Sequence, residues 1–363
     1  MSMIFDSSLI GKKLSVVDEI LLLNPYQTPM INLLGFGAPV TQTTHQWFED
    51  EMFAHDSTVS GAKLATDTSI VVNNVEAFRV NQVVKIGDEL LKITAVDTSG
   101  KALTVTRGYA GTTAAAISSG AKVTVQFNEG VEGANARDAR FKARVQNQNY
   151  TQIFDDTIQI SGSAQAVTQY GVSDLYGYEK TKKQLELALA LEKAIINGVG
   201  YQSGNTRQMK GIKNFIQTNV FDASAAAVTD TLINDRLQAI YEKGGFATGG
   251  QYKIVVGAKQ KRALSALMQG SIRLTQEEEV RGQRVSKFVS DFGEFEILLN
   301  NNLSADELLI IDANRVSIRP LAGREFFHKF MGEVGDSTTG ILVGEYTLEC
   351  KQEKAHARIK NLA

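Results

Sequence analysis

Residues 174–198 run DLYGYEKTKKQLELALALEKAIING, the longest helical stretch in the chain. Asp174 is placed to accept from the orphan amides of the first turn, Gly198 supplies the stop, and no proline interrupts the run. Helical spacing puts Tyr178, Leu185, Ala188, Leu189, Ile195 and Ile196 on one broad apolar face. Glu179 with Lys183, and Lys182 with Glu186, form i,i+4 pairs on another. At about 1.5 Å per residue the element spans roughly 35 Å, the width of a small domain. A helix of that length serves as a spine for whatever packs across it.

On its amino-terminal side, residues 1–46 form an apolar arm. Ser15 and Asp18 resemble a capping box, and Val16, Val17, Ile20, Leu21 and Leu23 predict a short helix that Asn24-Pro25 ends. Pro25, Pro29 and Pro39 then keep NPYQTPMINLLGFGAP extended or turned. Residues 43–52, with Trp47 and Phe48, predict a strand, and residues 144–160 are again extended and polar-aromatic. The two limbs are expected to pair antiparallel as a long ribbon that needs a surface beneath it. Between them, residues 57–127 alternate: Val83, Ile86, Leu91, Ile93 and Val96 precede a turn at 97–100, and Leu103 and Val105 follow. With a further strand at 121–127, this is an all-β module spliced into the ribbon.

Beyond the spine, a Gly-rich connection leads to a short strand expected at 211–216. A second helix starts at Asp230, with Leu232, Leu237, Ile240 and Tyr241 inward and Gly244-Gly245 as its stop. Strands are predicted at 254–256, 295–299 and 308–312, and a helix at 259–268. Pro320 confines VSIRP to an edge. A long final strand places Leu342, Tyr346 and Leu348 on one face. This last strand and the helix at 230–244 are the expected partners of the spine. The fold class is α+β.

The chain has 363 residues, 43% of them hydrophobic, and a formal charge of -2, a composition that fits packed domains and excludes a dedicated basic nucleic-acid binder. Thirty-one glycines against four prolines favour tight turns over rigid linkers. The single Cys350 rules out an internal disulfide framework. No run approaches the about 18 apolar residues of a membrane span, and the amino terminus lacks the pattern of an export signal.

No catalytic constellation emerges. Gly198, Gly200 and Gly204 follow a helix instead of opening one, and Gly11-Lys12-Lys13 lacks the upstream glycine of a phosphate loop. His45, His55, His328 and His356 are scattered, and Cys350 has no ligand partner at zinc spacing. Glu49-Asp50-Glu51, Asp155-Asp156 and Glu277 to Glu279 lack the spacing of a calcium loop and suit solvated or intersubunit faces. The basic residues Lys259, Lys261, Arg262, Arg281 and Arg284 suit a solvated helix face. Catalytic, cofactor and metal sites are all expected to be absent.

The order arm, ribbon, spine, mixed sheets and returning strand resembles the major capsid proteins of tailed bacteriophages, with the HK97-like fold. The likeness is greatest to members carrying a β domain inserted in the E-loop. The similar stretches are NPYQTPMINLLG (24–35), VTRGYAGTTAAA (105–116), LELALALEKAIING (185–198) and GILVGEYTLECKQEKAHARIKNL (340–362).

The resemblance implies an N-terminal arm at 1–46, E-loop strands at 47–56 and 128–160, and an inserted β domain at 57–127. It implies a peripheral domain at 161–247 and 321–363 that holds the spine, and an axial domain at 248–320. It also implies homo-pentamers and homo-hexamers of an icosahedral head that encloses double-stranded DNA, touched non-specifically. The location is the virion, after assembly in the host bacterial cytoplasm, with no membrane partner. Because the first helix begins near Ser15, a separate scaffolding protein is expected, alongside a portal and a decoration protein; no lysine–asparagine pair is singled out for crosslinking. The alternatives are a receptor- or glycan-binding virion protein, for which Phe78 and Tyr109 are the insert's exposed aromatics, and a cargo-loaded shell of the same fold.

Overall fold

The computed structural model describes residues 28–363 apart from 131, 134, 168–171, 173, 249, 272–286 and 334. The short helix expected at 16–23 lies outside the described residues. The chain divides into two compact units, one being Phe48–Gln146 and the other the described residues up to Trp47 with Asn147–Ala363.

The described chain enters through the short helix α1 (Pro29–Leu34) and the strand β1 (Thr44–Glu49). Pro29 occupies the first turn, where its missing N–H is no loss, and Gly35 ends the helix. Phe36 and Val40 then make parallel bridges to Ile318 and Leu321.

The strands β2 (Asp56–Thr58), β3 (Ser69–Val71), β4 (Gln82–Ile86), β5 (Glu89–Asp97), β6 (Ala102–Thr106) and β7 (Lys122–Asn128) form one six-stranded sheet, in the order β2-β7-β4-β5-β6-β3. Just past β2 and β3, Val59 bridges Val72 and joins the two outermost strands. The sheet therefore closes into a small barrel, which removes the free edges through which flat sheets aggregate. Val59, Ile70, Val72, Phe78, Val84, Leu91, Ile93, Leu103 and Val123 fill it. The expected turn at 97–100 joins β5 to β6, but the limb before it is broken: Gly87, at φ +59°, makes a second hairpin of β4 and β5. Phe78, expected as an exposed aromatic, is only 4% exposed and belongs to this core.

In the other unit, β8 (Val145–Tyr150) pairs with β1, and β9 (Gln152–Ser161) follows. The helices α2 (Gly162–Ala166) and α3 (Leu175–Asn197), the hairpin β10 (Val199–Ser203) and β11 (Thr206–Lys210), the helix α4 (Ile212–Phe215), the strand β12 (Val220–Asp222) and the helix α5 (Asp230–Glu242) come next. The chain continues through β13 (Tyr252–Val256), α6 (Ala258–Ser271), β14 (Lys287–Ser290), β15 (Gly293–Leu299) and β16 (Leu308–Asp312). It closes with β17 (Val316–Pro320), β18 (Phe327–Glu333), β19 (Ser337–Cys350) and β20 (Ala357–Lys360).

Two sheets organise this unit. β19 pairs with β17, β18 and β9 in a four-stranded sheet, and a six-stranded sheet runs β12-β20-β16-β13-β15-β14. The fold is α+β. β9 pairs antiparallel with β19 from Gln152 to Ser161, so the limb at 144–160 is not one long ribbon strand. Only its first part, β8, stays with β1. The strand expected at 211–216 is instead the one-turn helix α4, and the Gly-rich segment before it is a hairpin. β20 and β12 hydrogen-bond into the sheet of β13 and β16, although the sequence grouped residues 321–363 and 161–247 elsewhere.

The spine α3 is capped as expected, the Asp174 side chain accepting from the Gly177 amide. Its buried residues are Leu187, Leu191, Glu192, Ile195 and Ile196, whereas Leu185 is exposed and Leu189 half-buried. These apolar residues join Met30, Phe154, Ile158, Met209, Phe215, Leu342 and Leu348 in one core. α5 belongs to a second core, with Ile233, Leu237 and Ile240 inward and Tyr241 61% exposed. The last strand is thus a partner of the spine, while α5 is assigned to the other core. The ion pairs on α3 are i,i+3, Lys182 to Glu179 at 3.9 Å and Lys183 to Glu186 at 3.2 Å.

Candidate assembly surfaces

β19 is buried along both faces of its second half. Tyr346, Leu348 and Cys350 join the spine core, and the alternation of GEYTLEC turns Glu345, Thr347 and Glu349 the other way. A carboxylate out of water must be paired, and both are. Glu345 accepts from Thr151 Oγ1 at 2.6 Å and Arg207 Nη2 at 3.0 Å, with Arg324 at 2.8 Å. Glu349 accepts from His45 Nε2 at 3.1 Å and pairs with Lys351 at 2.9 Å and with Arg319. Asn149 of β8 donates to the Leu348 carbonyl at 2.6 Å and accepts from the Lys210 amide at 2.7 Å. The root of the ribbon is therefore fastened to β19 by side chains of β1, β8 and the residue between β8 and β9. Trp47 adds an apolar anchor against Phe215, ring centres 5.8 Å apart.

Burial pushes the Glu349 carboxyl up, but the hydrogen bonds of His45 and Lys351 and the charge of Arg319 outweigh it and pull it down to about 2. With the folded value depressed, the stabilisation is present above the ordinary carboxylate range and is lost as pH falls through it. Glu349→Gln is expected to remove roughly 3 kcal/mol of pH-dependent stability between about pH 5 and pH 2. Denaturation followed across that window checks this; equal slopes in both proteins would refute the coupling.

Among the exposed apolar side chains, two groups bear on assembly. Around the ribbon these are Phe48, Met52 and Phe141, with Met52 and Phe141 more than 80% exposed. Asp50 with Arg144 at 3.5 Å, and Glu51 with Lys142 at 3.0 Å, pair across from one limb to the other and account for that part of the acidic cluster. On β18, Phe327, Phe330 and Met331 are exposed, and among the described residues this strand hydrogen-bonds along one side only, to β19. Under it, a Cβ at Gly340 would have to displace the Tyr176 hydroxyl. Clustered exposed apolar side chains on a strand with one open edge mark an interaction surface.

The remaining candidates do not converge. Gly198 ends α3, and Gly200 and Gly204 shape the β10–β11 hairpin at positive φ. His328 lies 2.7 Å from the Tyr176 hydroxyl, His55 is exposed, and His356 is fully buried and driven down to about 4 by burial, hence neutral. Its Nδ1 accepts from the Asp312 amide at 3.1 Å. Among the described residues no group of three His, Cys, Asp or Glu stands close enough to hold a metal. Asp156 pairs with Lys183 at 2.8 Å, Asp155 is exposed, and Cys350 is buried. Lys259 and Arg262 are exposed on α6 and Lys261 is half-buried. Lys12, Glu277 to Glu279, Arg281 and Arg284 lie outside the described residues. No described helix is long and apolar enough to cross a membrane.

Sequence reasoning missed Glu345 and Glu349, although a strand with Glu at i and i+4 flanked by apolar residues is a visible signal.

A family model described as SU10 major capsid protein matches residues 3–363. None of the curated proteins compared with the chain matches it. Among solved structures, the chain is similar to the capsid of cyanophage A-1(L), at 9% identity and TM-score 0.56, covering 98% of each chain. The capsid of a native GTA particle matches at 9% identity and TM-score 0.55, over 99% of this chain and 98% of that one. The structure titled Microbacterium phage Oxtober96 matches at 12% identity and TM-score 0.51, over 98% and 97%.

Proposed function

The chain belongs to the SU10 major capsid protein family, and from that premise we propose how a major capsid protein of this build assembles its shell. It associates with itself in a capsid lattice. The finer reading is that it forms pentamers and hexamers of an icosahedral head around double-stranded DNA, helped by a separate scaffolding protein and completed by a portal and a decoration protein. In the terms of the fold, residues 47–56 and 128–160 belong to the E-loop, residues 57–127 form the inserted domain, residues 248–320 the axial domain and residues 161–247 with 321–363 the peripheral domain. The family match over residues 3–363 carries this reading.

The exposed apolar side chains of the ribbon and of β18 support it. Burial at about 25 cal/mol per Å² becomes decisive when one contact is repeated around closed rings. A glycan- or receptor-binding insert has less support, because Phe78 is inside the barrel. Full-length protein, purified alone and co-expressed with its neighbouring head proteins, is expected to show rings or closed shells in negative-stain images. A strictly monomeric species under both conditions and at high concentration would sink the proposal.

A further inference from the structure

Glu192 sits within the spine and is fully buried, yet among the described residues it faces no cation. Its Oε1 accepts from the Met30 amide at 2.9 Å and from Asn300 Nδ2 at 2.7 Å, and its Oε2 accepts from the Ile31 amide at 3.0 Å. Met30 and Ile31 are in the first turn of α1, where amides have no partner within the helix. Thr28, the residue that ordinarily caps such a turn, makes no side-chain cap, and α1 has no acidic residue in its first turn. The cap is supplied in trans by a carboxyl 162 positions away in sequence. Met30, buried completely beside it, ties the same turn into the spine core.

We propose that Glu192 is a proton-linked latch for the amino-terminal arm: it holds the first turn of α1 on the spine, and its ionisation loosens that hold. The groups facing it decide the direction. α1 presents two backbone amides, the segment after β15 presents the Asn300 amide, and Lys193, next to it on α3, is exposed. Among the described residues no ionisable side chain contributes charge to it, and burial, the largest influence, raises the carboxyl above its ordinary range against the three hydrogen bonds that lower it. Undocking α1 would let water reach the group and return it to that range. Docking is therefore unpenalised below the ordinary carboxylate range, weakens as pH rises from there to the raised docked value, and is constant above it. Gly35, at φ +60° with open space around it, ends α1 and is the natural hinge.

Hydrogen exchange of the full-length chain, corrected for intrinsic rates, tests the latch. In the wild type, protection of peptides covering residues 28–36 is expected to fall as pH rises above the ordinary carboxylate range, by up to about tenfold per pH unit until the docked carboxyl has ionised, while β19 shows no such slope. In Glu192→Gln, which keeps an acceptor but does not titrate, the slope is expected to vanish. The same slope in the variant as in the wild type overturns the proposal. Should the variant fail to fold, the wild type decides: a slope confined to residues 28–36 upholds the latch, and a flat profile or one shared with β19 overturns it.

Discussion

Leu191→Asp is expected to leave no folded subunit, whereas Leu189→Asp, two residues away on the same helix, is expected to leave one. Leu191 is completely buried, on the line Leu187, Leu191, Ile195 that packs into the core with Phe154, Ile158 and Leu342. Replacing it forfeits about 2–3 kcal/mol of apolar burial and strands a carboxylate in the apolar core, a further cost of several kcal/mol. The sum is comparable with the whole stability of a domain, about 5–15 kcal/mol. Leu189 is half-buried, so a charge there can turn toward water. Soluble yield and far-ultraviolet circular dichroism of the two variants read the difference. A folded Leu191→Asp beside an unfolded Leu189→Asp would reverse the assignment of the spine's buried face.

That assignment shows where sequence reasoning stopped. The existence, caps and length of the spine were legible, because Asp174, Gly198 and an uninterrupted run of helix formers act locally. Its face was not. In LELALAL the leucines recur every second residue, and at about 100° per residue they alternate between opposite sides, so periodicity permits either Leu185 with Leu189 or Leu187 with Leu191. The tertiary partners chose the second pair. The β5–β6 hairpin was legible for the same local reason, since alternation and the turn at 97–100 need no distant partner, whereas the β4–β5 turn at Gly87 was read as part of one limb. The barrel's closure through Val59 and Val72 was not legible, because nothing in either segment announces the other. The polar anchors were the least legible part. Glu192 in a helix and Glu349 in a strand look like solvent-facing acids until the Met30 amide and His45 are brought to them from far along the chain. The one-turn helix α4 was missed because so short an element has no periodicity of its own.

Arg107→Ala is expected to loosen or unfold the unit Phe48–Gln146 while the spine core keeps its protection. Arg107 and Glu89 form an ion pair with side chains 7% and 2% exposed, joined through Nε to Oε1 at 2.8 Å and Nη2 to Oε2 at 2.7 Å. The same guanidinium donates to the carbonyls of Leu64 at 2.8 Å, Asp67 at 3.0 Å and Ala115 at 2.5 Å. Glu89 accepts in addition from the amides of Gly108 at 3.0 Å and Ala115 at 3.2 Å. Burial raises the Glu89 carboxyl, but Arg107 and those two amides outweigh it and hold it below its ordinary range. Truncating the arginine leaves that carboxylate buried without its cation, at a cost of about 3–5 kcal/mol. Arg107→Lys is expected to recover only part of this, since a single ammonium cannot make the fork or reach all three carbonyls. Replacing both partners, Arg107→Met with Glu89→Leu, should recover more than the lysine, because it removes the stranded charge itself. Hydrogen exchange by region separates the outcomes: lost protection confined to residues 48–146 supports the argument. If the barrel of Arg107→Ala is protected as in the wild type, the strand ladder alone organises the loops around Leu64 and Ala115, and the ion pair between Arg107 and Glu89 is dispensable to the fold.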